Sequence, residues 1–523
     1  MNYAELFRVT LPETALEVAA LLVLVVDLGL LRGAAVKVRA AVAALLGVAG
    51  CGAAVWAISV QTGFGLYVER SLVLANGGGV AVAQVGVLAL TALTLLLFID
   101  SEFTRHVGEY VAVVLMAASG GLLVAAARDL LVIFVGLELL SLGLYVLTAF
   151  AKNSGKSAEA AMKYYLFGGM SAAFLLFGFS YLYGLSGSLD LYQIQYAIGE
   201  SGPSPLFYVA WILIVAGLGF KVAAVPFHLW APDTYEGAPA AAAAFIASVS
   251  KVASFALLLT ISENLIMPGG PISGQRDVVE HYLHNEYLAW QPLAVILLIV
   301  AAASMVVGNL AALAQVSVRR LLAYSAIAHA GYILLGIAAQ RAYLGQGSAF
   351  HFFLSTTGPA FRSGSAVLYY VLTYGLTTVG AFGVIGVVER ATGSDKMDAF
   401  LGLHKRNPLL AAVLLVLFLS LAGIPPLVGF WAKFNLFAAV LGVGAGLVPF
   451  ALVALAVGLS AVSLYYYLQV LKRAYVMAAT DETAIRVSPV TMLVLVGIAA
   501  AVVLMGVFPA VLQGWIAGFY PGM

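Results

Sequence analysis

The sequence holds a single cysteine, Cys51, set in an apolar run. One thiol excludes an internal disulfide framework and any cluster of cysteine metal ligands, an iron–sulfur set included. Charge is scarce too. Asp, Glu, Lys and Arg make up 9% of the 523 residues, against about 25% in soluble domains. With a net charge of +1, there is no electrostatic footprint for nucleic acid or an acidic partner. A basic N-terminal region is missing as well. Glu5, Glu13 and Glu17 stand there instead, so the first apolar segment reads as retained, not as a cleaved signal. No Gly-rich loop follows a strand-like run, which leaves no nucleotide site to expect.

What the sequence does have is apolar surface, with 63% of residues hydrophobic. A soluble chain of this length could not bury so much of it, whereas a lipid bilayer can act as its solvent. A spanning helix needs about 20 apolar residues. Cutting the chain at polar and Gly/Pro-rich breaks gives fourteen segments: 12–31, 38–60, 79–99, 108–127, 129–150, 160–185, 206–230, 239–262, 288–310, 318–339, 363–389, 408–441 (broken), 443–471 and 489–510. The expected fold is an all-α polytopic membrane protein. Strands are not expected, because an open sheet in lipid leaves its edge groups unpaired.

Lysine and arginine placement orients the bundle. Sixteen of the 25 fall in alternate connections, from Arg32, Lys37 and Arg39 through Arg319 and Arg320 to Lys472, Arg473 and Arg486. Six lie on the other side, at Arg8, Arg70, Arg128, Arg276, Arg341 and Arg362. Both termini are therefore expected on the non-cytoplasmic side. The most polar stretch, 263–287, reads as a solvated outer loop. Its His281 and His284 have no further ligands in pattern, so a metal site is not expected.

The remaining three of the 25, all lysines, stand inside apolar segments and carry the functional information, together with one glutamate. They are Glu138 in VGLELLSLGLY, Lys221 in GLGFKVAAVPFH, Lys251 in ASVSKVASF and Lys433 in VGFWAKF. A charge at mid-membrane costs about 3 kcal/mol on insertion scales and usually faces a bundle interior or water cavity. Snorkelling to the interface serves lysines near helix ends, not at depths of about 12–22 Å, and a glutamate is too short for it. A buried amine loses proton affinity and a buried carboxyl gains it, so both can exchange protons near neutral pH. A Glu–Lys pair also couples the two, which suits a pump.

Prolines interrupt two segments beside these lysines: Pro226, after Lys221, and Pro425–Pro426, before Lys433. Broken helices are tolerated in lipid where they line a water-filled path. Paired interruptions point to inverted repeats around a midplane ion site. The breaks fall in the seventh and twelfth segments, five apart. The expected division is three N-terminal segments (1–107), a first five-helix repeat (108–262), the polar loop (263–287), an inverted second repeat (288–471) and a final helix (472–523). His228, just past the first break, and His329, in LLAYSAIAHAGY, are candidate proton relays, since histidine titrates near neutrality. Asp27 is expected to face the interface without a role.

At these residues the chain resembles the antiporter-like subunits of proton-pumping NADH:quinone oxidoreductase, respiratory complex I, most closely the subunit-N type. The resemblance runs from LPETALEVAALLVLVVDL through GLELLSLGLYVL, FHLWAPDTYEGAP, LLAYSAIAHAGY and LAGIPPLVGFWAKF to the last segment. Sister subunits look instead like FHTWLPDAHxxAPT, so the YEGAP ending favours the N type. The resemblance implies fourteen helices with two inverted repeats. It implies that Glu138 pairs with Lys221, that Lys251 is the central lysine, and that Lys433 stands at the outer half-channel. It also implies partners: the M-, K-, L-, J-, A- and H-type membrane subunits and, through them, a peripheral arm carrying NAD, FMN, iron–sulfur clusters and quinone, with no cofactor on this chain. A bacterial inner membrane is the expected location.

The expected function is proton translocation in a redox-driven NADH:quinone oxidoreductase, of the translocase class, with the redox chemistry on other subunits. Protons would pass from Glu138 through Lys221, Lys251 and His329 to Lys433. The rivals are an Mrp-type cation/proton antiporter subunit, a membrane-bound hydrogenase subunit, and a structural scaffold. The scaffold leaves four mid-depth charges unexplained.

Overall fold

The computed structural model describes residues 7–61, 65–69, 72–76, 78–266, 276–339, 363–442, 447–479 and 483–518. In chain order the helices are α1 (Leu11–Val25, continued by a π turn at Val26–Leu30), α2 (Val36–Val60), α3 (Gly79–Phe98), α4 (Val107–Ala126), α5 (Leu130–Thr148) and α6 (Gly155–Ser186). Then come α7 (Leu191–Ser201), α8 (Pro205–Lys221), α9 (Trp230–Gly237), α10 (Ala240–Ile266), α11 (Arg276–Leu313), α12 (Val318–Ala339) and α13 (Ser363–Thr392). The last are α14 (Leu403–Arg406), α15 (Pro408–Ala422), α16 (Val428–Gly442), α17 (Leu447–Tyr475), α18 (Pro489–Val507) and α19 (Pro509–Gly518). Among the described residues, eleven helices are long and apolar enough to cross a membrane.

Local sequence explains where several helices start. α8, α15 and α18 each open on a Ser or Asn cap followed by proline, at Ser204–Pro205, Asn407–Pro408 and Ser488–Pro489. The cap side chain accepts a first-turn N–H, and proline fills a position whose N–H has no helical partner anyway. Between helices, small residues set the spacing. A Cβ on Gly308 would lie 2.5 Å from the Ala328 nitrogen, and one on Gly331 would lie 2.7 Å from the Ala301 oxygen. α11 and α12 thus touch backbone to backbone, the usual way helices associate where lipid supplies no hydrophobic drive.

The core lies along α10 and α12. The apolar window of α10 is buried on every side, as a helix apolar all round should be. These two central helices carry Lys251 and His329.

Three expectations need correction. A two-stranded antiparallel hairpin, β1 (Gly65–Glu69) with β2 (Leu72–Asn76), occupies the connection between α2 and α3. The ban on open sheets holds inside lipid, and this connection lies outside the apolar segments. The expected outer loop 263–287 is in part helical, since α10 runs to Ile266 and α11 begins at Arg276. Cutting at polar residues measured the hydrocarbon layer, and a helix can continue beyond it. The side chains of His281 and His284 lie outside the described residues. Finally, Asp27 is buried and accepts two hydrogen bonds from Arg39, at 2.7 and 2.6 Å, and one from the Gly108 N–H at 3.0 Å. It ties α1, α2 and α4 together instead of facing the interface.

Candidate proton path

The seventh segment does not run to residue 230. α8 stops at Lys221, Ala223 takes a left-handed φ of 57°, and α9 begins only at Trp230. The end is a Schellman motif, with the Ala224 N–H donating to Gly219 O at 2.7 Å and the Ala223 N–H to Phe220 O at 3.0 Å. The twelfth segment ends its first half in the same way. α15 stops at Ala422, Gly423 has φ 88°, the Ile424 N–H donates to Leu419 O at 3.0 Å, and the Gly423 N–H to Ser420 O at 2.9 Å. Each left-handed residue is followed three positions later by proline, Pro226 in one and Pro426 in the other. The two breaks therefore correspond residue for residue.

Such an ending leaves the last helical carbonyls without N–H partners. In each break a lysine from elsewhere supplies the donor. Lys251, on α10, donates to Val222 O. Lys433, on α16, donates to Leu421 O at 3.1 Å, Ala422 O at 2.9 Å and Ser460 Oγ at 2.8 Å. Val222 and Ala422 each directly precede the left-handed residue, so the two lysines cap equivalent carbonyls. The negative end of each half-helix dipole favours an ammonium there. Both lysines are buried, Lys251 at 1% and Lys433 at 6% exposure, so neither snorkels. In the first break the Val225 N–H donates to Ser304 Oγ at 2.9 Å.

Lys221 closes α8 and is equally buried, at 6% exposure. Its ammonium donates to Ser141 Oγ at 2.6 Å and lies 3.7 Å from Glu138 Oε1. Glu138 and Ser141 are three apart on α5 and so share a helix face. The Glu138 side chain is 28% exposed, placing the pair at the edge of the bundle with its amine inside.

His329 bonds through Nδ1 to Tyr370 Oη at 2.7 Å, and its ring lies 4.8 Å from that of Tyr374 and 5.7 Å from that of Tyr332. The Lys433 ammonium sits 5.5 Å from the centre of the same Tyr332 ring, so His329 and Lys433 flank one tyrosine. Tyr332 Oη accepts from Asn309 at 3.1 Å, and Tyr466 Oη donates to Asn309 Oδ1 at 3.2 Å. His228 is half-buried in the turn after the break, and no hydrogen bond joins its ring to these groups. Pro226 and Pro425 lie in the turns that interrupt the helices, and Pro426 follows at once.

The sequence singled out Glu138, Lys221, Lys251 and Lys433 by their charge, and Tyr332 as a hydrogen-bonding group near His329, but none of the other neutral partners. Ser141, Ser304, Ser460, Asn309, Tyr370 and Tyr374 look in the sequence like ordinary helix residues. Only Ser141 had a usable signal, its spacing from Glu138. A cluster on the Lys/Arg-rich face was also missed. Asp233 and Glu236 of α9 meet Arg320 at 2.6 and 3.0 Å, Lys163 reaches Asp233 at 2.8 Å, and Lys156 reaches Glu236 at 3.2 Å. Burial raises the proton affinity of the Asp233 carboxyl, but the hydrogen bonds from Lys163 and Arg320 outweigh it and hold the pKa below the usual range. Among the described residues, no three His, Cys, Asp or Glu side chains gather as a metal site.

Two buried amines that cap interrupted helices, and a third paired with a carboxylate, define an antiporter-like helical bundle. A family described as NADH:quinone oxidoreductase/Mrp antiporter, transmembrane, matches residues 127–269, 283–361 and 353–460. NADH-quinone oxidoreductase subunit N 2 of Acidobacterium capsulatum is 46% identical over 524 residues, covering 99% of each chain. A chain of respiratory complex I from Thermus thermophilus with bound aureothin aligns with a TM-score of 0.73 at 31% identity, covering 96% of this chain and 98% of that one. A chain of the Mrp complex from Dietzia sp. aligns with a TM-score of 0.77 at 22% identity, and 52% of it is covered, a likeness of fold alone. The chain belongs to the subunit N family of NADH-quinone oxidoreductase.

Proposed function

We propose that this chain is a proton-translocating membrane subunit of a redox-driven NADH:quinone oxidoreductase. The carrying observation is the pair of equivalent helix breaks, each capped by a buried lysine, with Lys221 beside Glu138 at the end of one. An ammonium held by backbone carbonyls can release its proton and still be replaced there by a neighbouring donor. When Lys221 is paired with the Glu138 carboxylate, its proton is retained. When Glu138 becomes neutral or moves away, the N–H bond of Lys221 is free to break and its proton can pass to the amine of Lys251. From there it passes by way of His329 and Tyr332 to Lys433.

In this reading there are fourteen crossings, with the fourth to eighth and ninth to thirteenth segments as inverted repeats around the two breaks. The side-chain ion pairs support the alternation, since Lys37–Glu102, Lys156–Glu236, Arg319–Glu389 and Arg473–Asp398 each join connections assigned to the same side. The Lys/Arg-rich side faces the cytoplasm of a bacterium, and both termini face away from it. The nicotinamide, flavin, iron–sulfur and quinone chemistry belongs to partner subunits. The antiporter reading is less favoured, because the Mrp likeness is one of fold alone whereas the subunit N likeness spans the full chain.

The test is proton pumping by the assembled complex in sealed vesicles, wild type against Lys221→Ala, with electron transfer followed in parallel. Loss of pumping with the complex still assembled places Lys221 on the path. Normal pumping and turnover make it a packing residue and overturn the mechanism.

A further inference from the structure

On α5, Glu138, Ser141 and Tyr145 follow one another at three and four residues and so line one helix face. The first two meet the Lys221 ammonium, whereas the proton path leaves Tyr145 unused. Tyr145 is buried, at 8% exposure, and its hydroxyl has no hydrogen-bond partner. Buried hydroxyls are rarely left unpaired. Packing fixes where this one points. The ring meets those of Tyr164 and Tyr165 edge-on, with centres 4.8 and 5.8 Å apart. A Cβ on Gly168 would run into Tyr145 Oη, so the hydroxyl lies against α6 at a place where a glycine leaves it room.

The register of α6 on α8 brings that place beside Lys221. A Cβ on Gly178 would lie 2.7 Å from Ile214 Cγ1, and one on Gly217 would lie 3.1 Å from Ser171 O. The two helices therefore run in opposite directions, and Ser171 Oγ joins them by donating to Gly217 O at 2.8 Å. One turn further along each, Gly168 comes level with Lys221. At the same level the Tyr164 ring lies 6.0 Å from that of Phe220, the residue before the lysine. Three helices thus converge there: α8 with the amine, α5 with the tyrosine, and α6 with the glycine beneath its hydroxyl.

The groups around Lys221 differ in what they can offer it. Ser141 donates its own proton to Leu137 O, so toward Lys221 its oxygen accepts. The Glu138 carboxylate can only accept. Both suit an ammonium, and neither gives a donor to the lone pair that the amine acquires on losing a proton. We propose that Tyr145 is that donor: once Lys221 has released its proton, the neutral amine turns from Glu138 to Tyr145 and accepts its O–H. The inference rests on the proton-transfer reading above and adds to it the seat of the neutral amine. One N–H bond of Lys221 breaks, the proton forms an N–H bond on Lys251, and the O–H bond of Tyr145 stays whole. Tyr145 is therefore a positioning residue that acts through Lys221. The other titratable groups around the pair are Glu138 on α5, Tyr164 and Tyr165 on α6, and Lys251 of α10, which is held at Val222 O.

The test is Tyr145→Phe in the assembled complex, which keeps the ring against Tyr164 and Tyr165 and removes the O–H. Pumping and electron transfer are followed in sealed vesicles from about pH 6 to about pH 9. Loss of one hydrogen bond to the neutral amine should lower pumping about three- to tenfold at neutral pH. The pH profile should move up by about half a unit to one unit, so that the rate recovers on the alkaline side. A profile at the wild-type position overturns the proposal, and so does an equal loss at every pH, which is what a packing role would give. 3-Fluorotyrosine at the same position keeps the hydroxyl and makes it a stronger donor, so its profile should lie at or below the wild-type position; one that follows the Phe variant overturns the proposal. Lys221→Ala, run alongside, separates the two ideas. If that variant pumps normally, the underlying mechanism fails, whereas if it is impaired while Tyr145→Phe keeps the wild-type profile, only the role of Tyr145 fails.

Discussion

Gly423→Ala is the substitution whose outcome the structure constrains most tightly. Gly423 ends α15 with φ 88° and ψ 36°, in the left-handed region where a Cβ costs about 1–2 kcal/mol. The added methyl would also lie 2.9 Å from Lys433 Cδ and 3.3 Å from its Nζ. The lysine must therefore move by several tenths of an ångström. Its three hydrogen bonds, at 2.8, 2.9 and 3.1 Å, leave little slack, and a lost hydrogen bond to a charged group is worth about 1.5–3 kcal/mol. Together these give roughly 2.5–5 kcal/mol against the arrangement that caps α15. At 1.4 kcal/mol per factor of ten, the population with Lys433 in place falls by about sixtyfold or more. The assay is proton pumping per electron in sealed vesicles, with thermal unfolding of the purified complex as the stability readout. Ala223→Gly is the control, because the equivalent position of the first break already carries a Cβ at φ 57°. There, relieved strain and added unfolded-state entropy offset each other, and stability should stay within about 0.5 kcal/mol of wild type. Wild-type pumping and stability in Gly423→Ala would refute the claim that the left-handed residue positions the lysine.

The other predictions concern single contacts. Lys251→Met removes the donor to Val222 O and should abolish pumping by this module while costing about 1–3 kcal/mol for the unpaired carbonyl, as measured by pumping and thermal unfolding. Asp27→Asn removes the charge that holds Arg39 and should lower stability by roughly 1.5–3 kcal/mol while leaving the pumping ratio of the surviving complex unchanged. The carboxyl of Asp233 has its folded-state pKa held below the unfolded value. Its stabilising contribution is therefore present above the unfolded pKa, about 3.9, and is lost as the pH falls through the folded value. Thermal unfolding of wild type minus Asp233→Asn should show a constant difference from pH 7 to about pH 5, shrinking only below about pH 4. Ser304→Ala should free the Val225 N–H and destabilise by about 1–3 kcal/mol, with a shift in the pumping of Lys221-dependent protons.

Much of the site was legible in the linear chain, for a physical reason. In a bilayer every mid-depth charge is expensive, so Glu138, Lys221, Lys251 and Lys433 stood out without any structure. Proline marked the breaks because it cannot continue a helix. The positions at which α8 and α15 stop were not legible, because an alanine or glycine in the left-handed region is set by the turn that follows and not by its own identity. Asp27 was misread on the same account: near the end of a helix a carboxylate can face water or a partner twelve residues away, and only the packing of α1 on α2 and α4 decides. By itself, the sequence determined that the chain is helical in lipid, which residues are too costly to be idle, and that two interruptions match. Only the tertiary structure decided that Lys251 and Lys433 cap equivalent carbonyls, that His329 and Lys433 share Tyr332, and that α10 lies at the centre. Those are relations between residues far apart in the chain, and uncharged serines, tyrosines and asparagines cost too little in a helix to announce them.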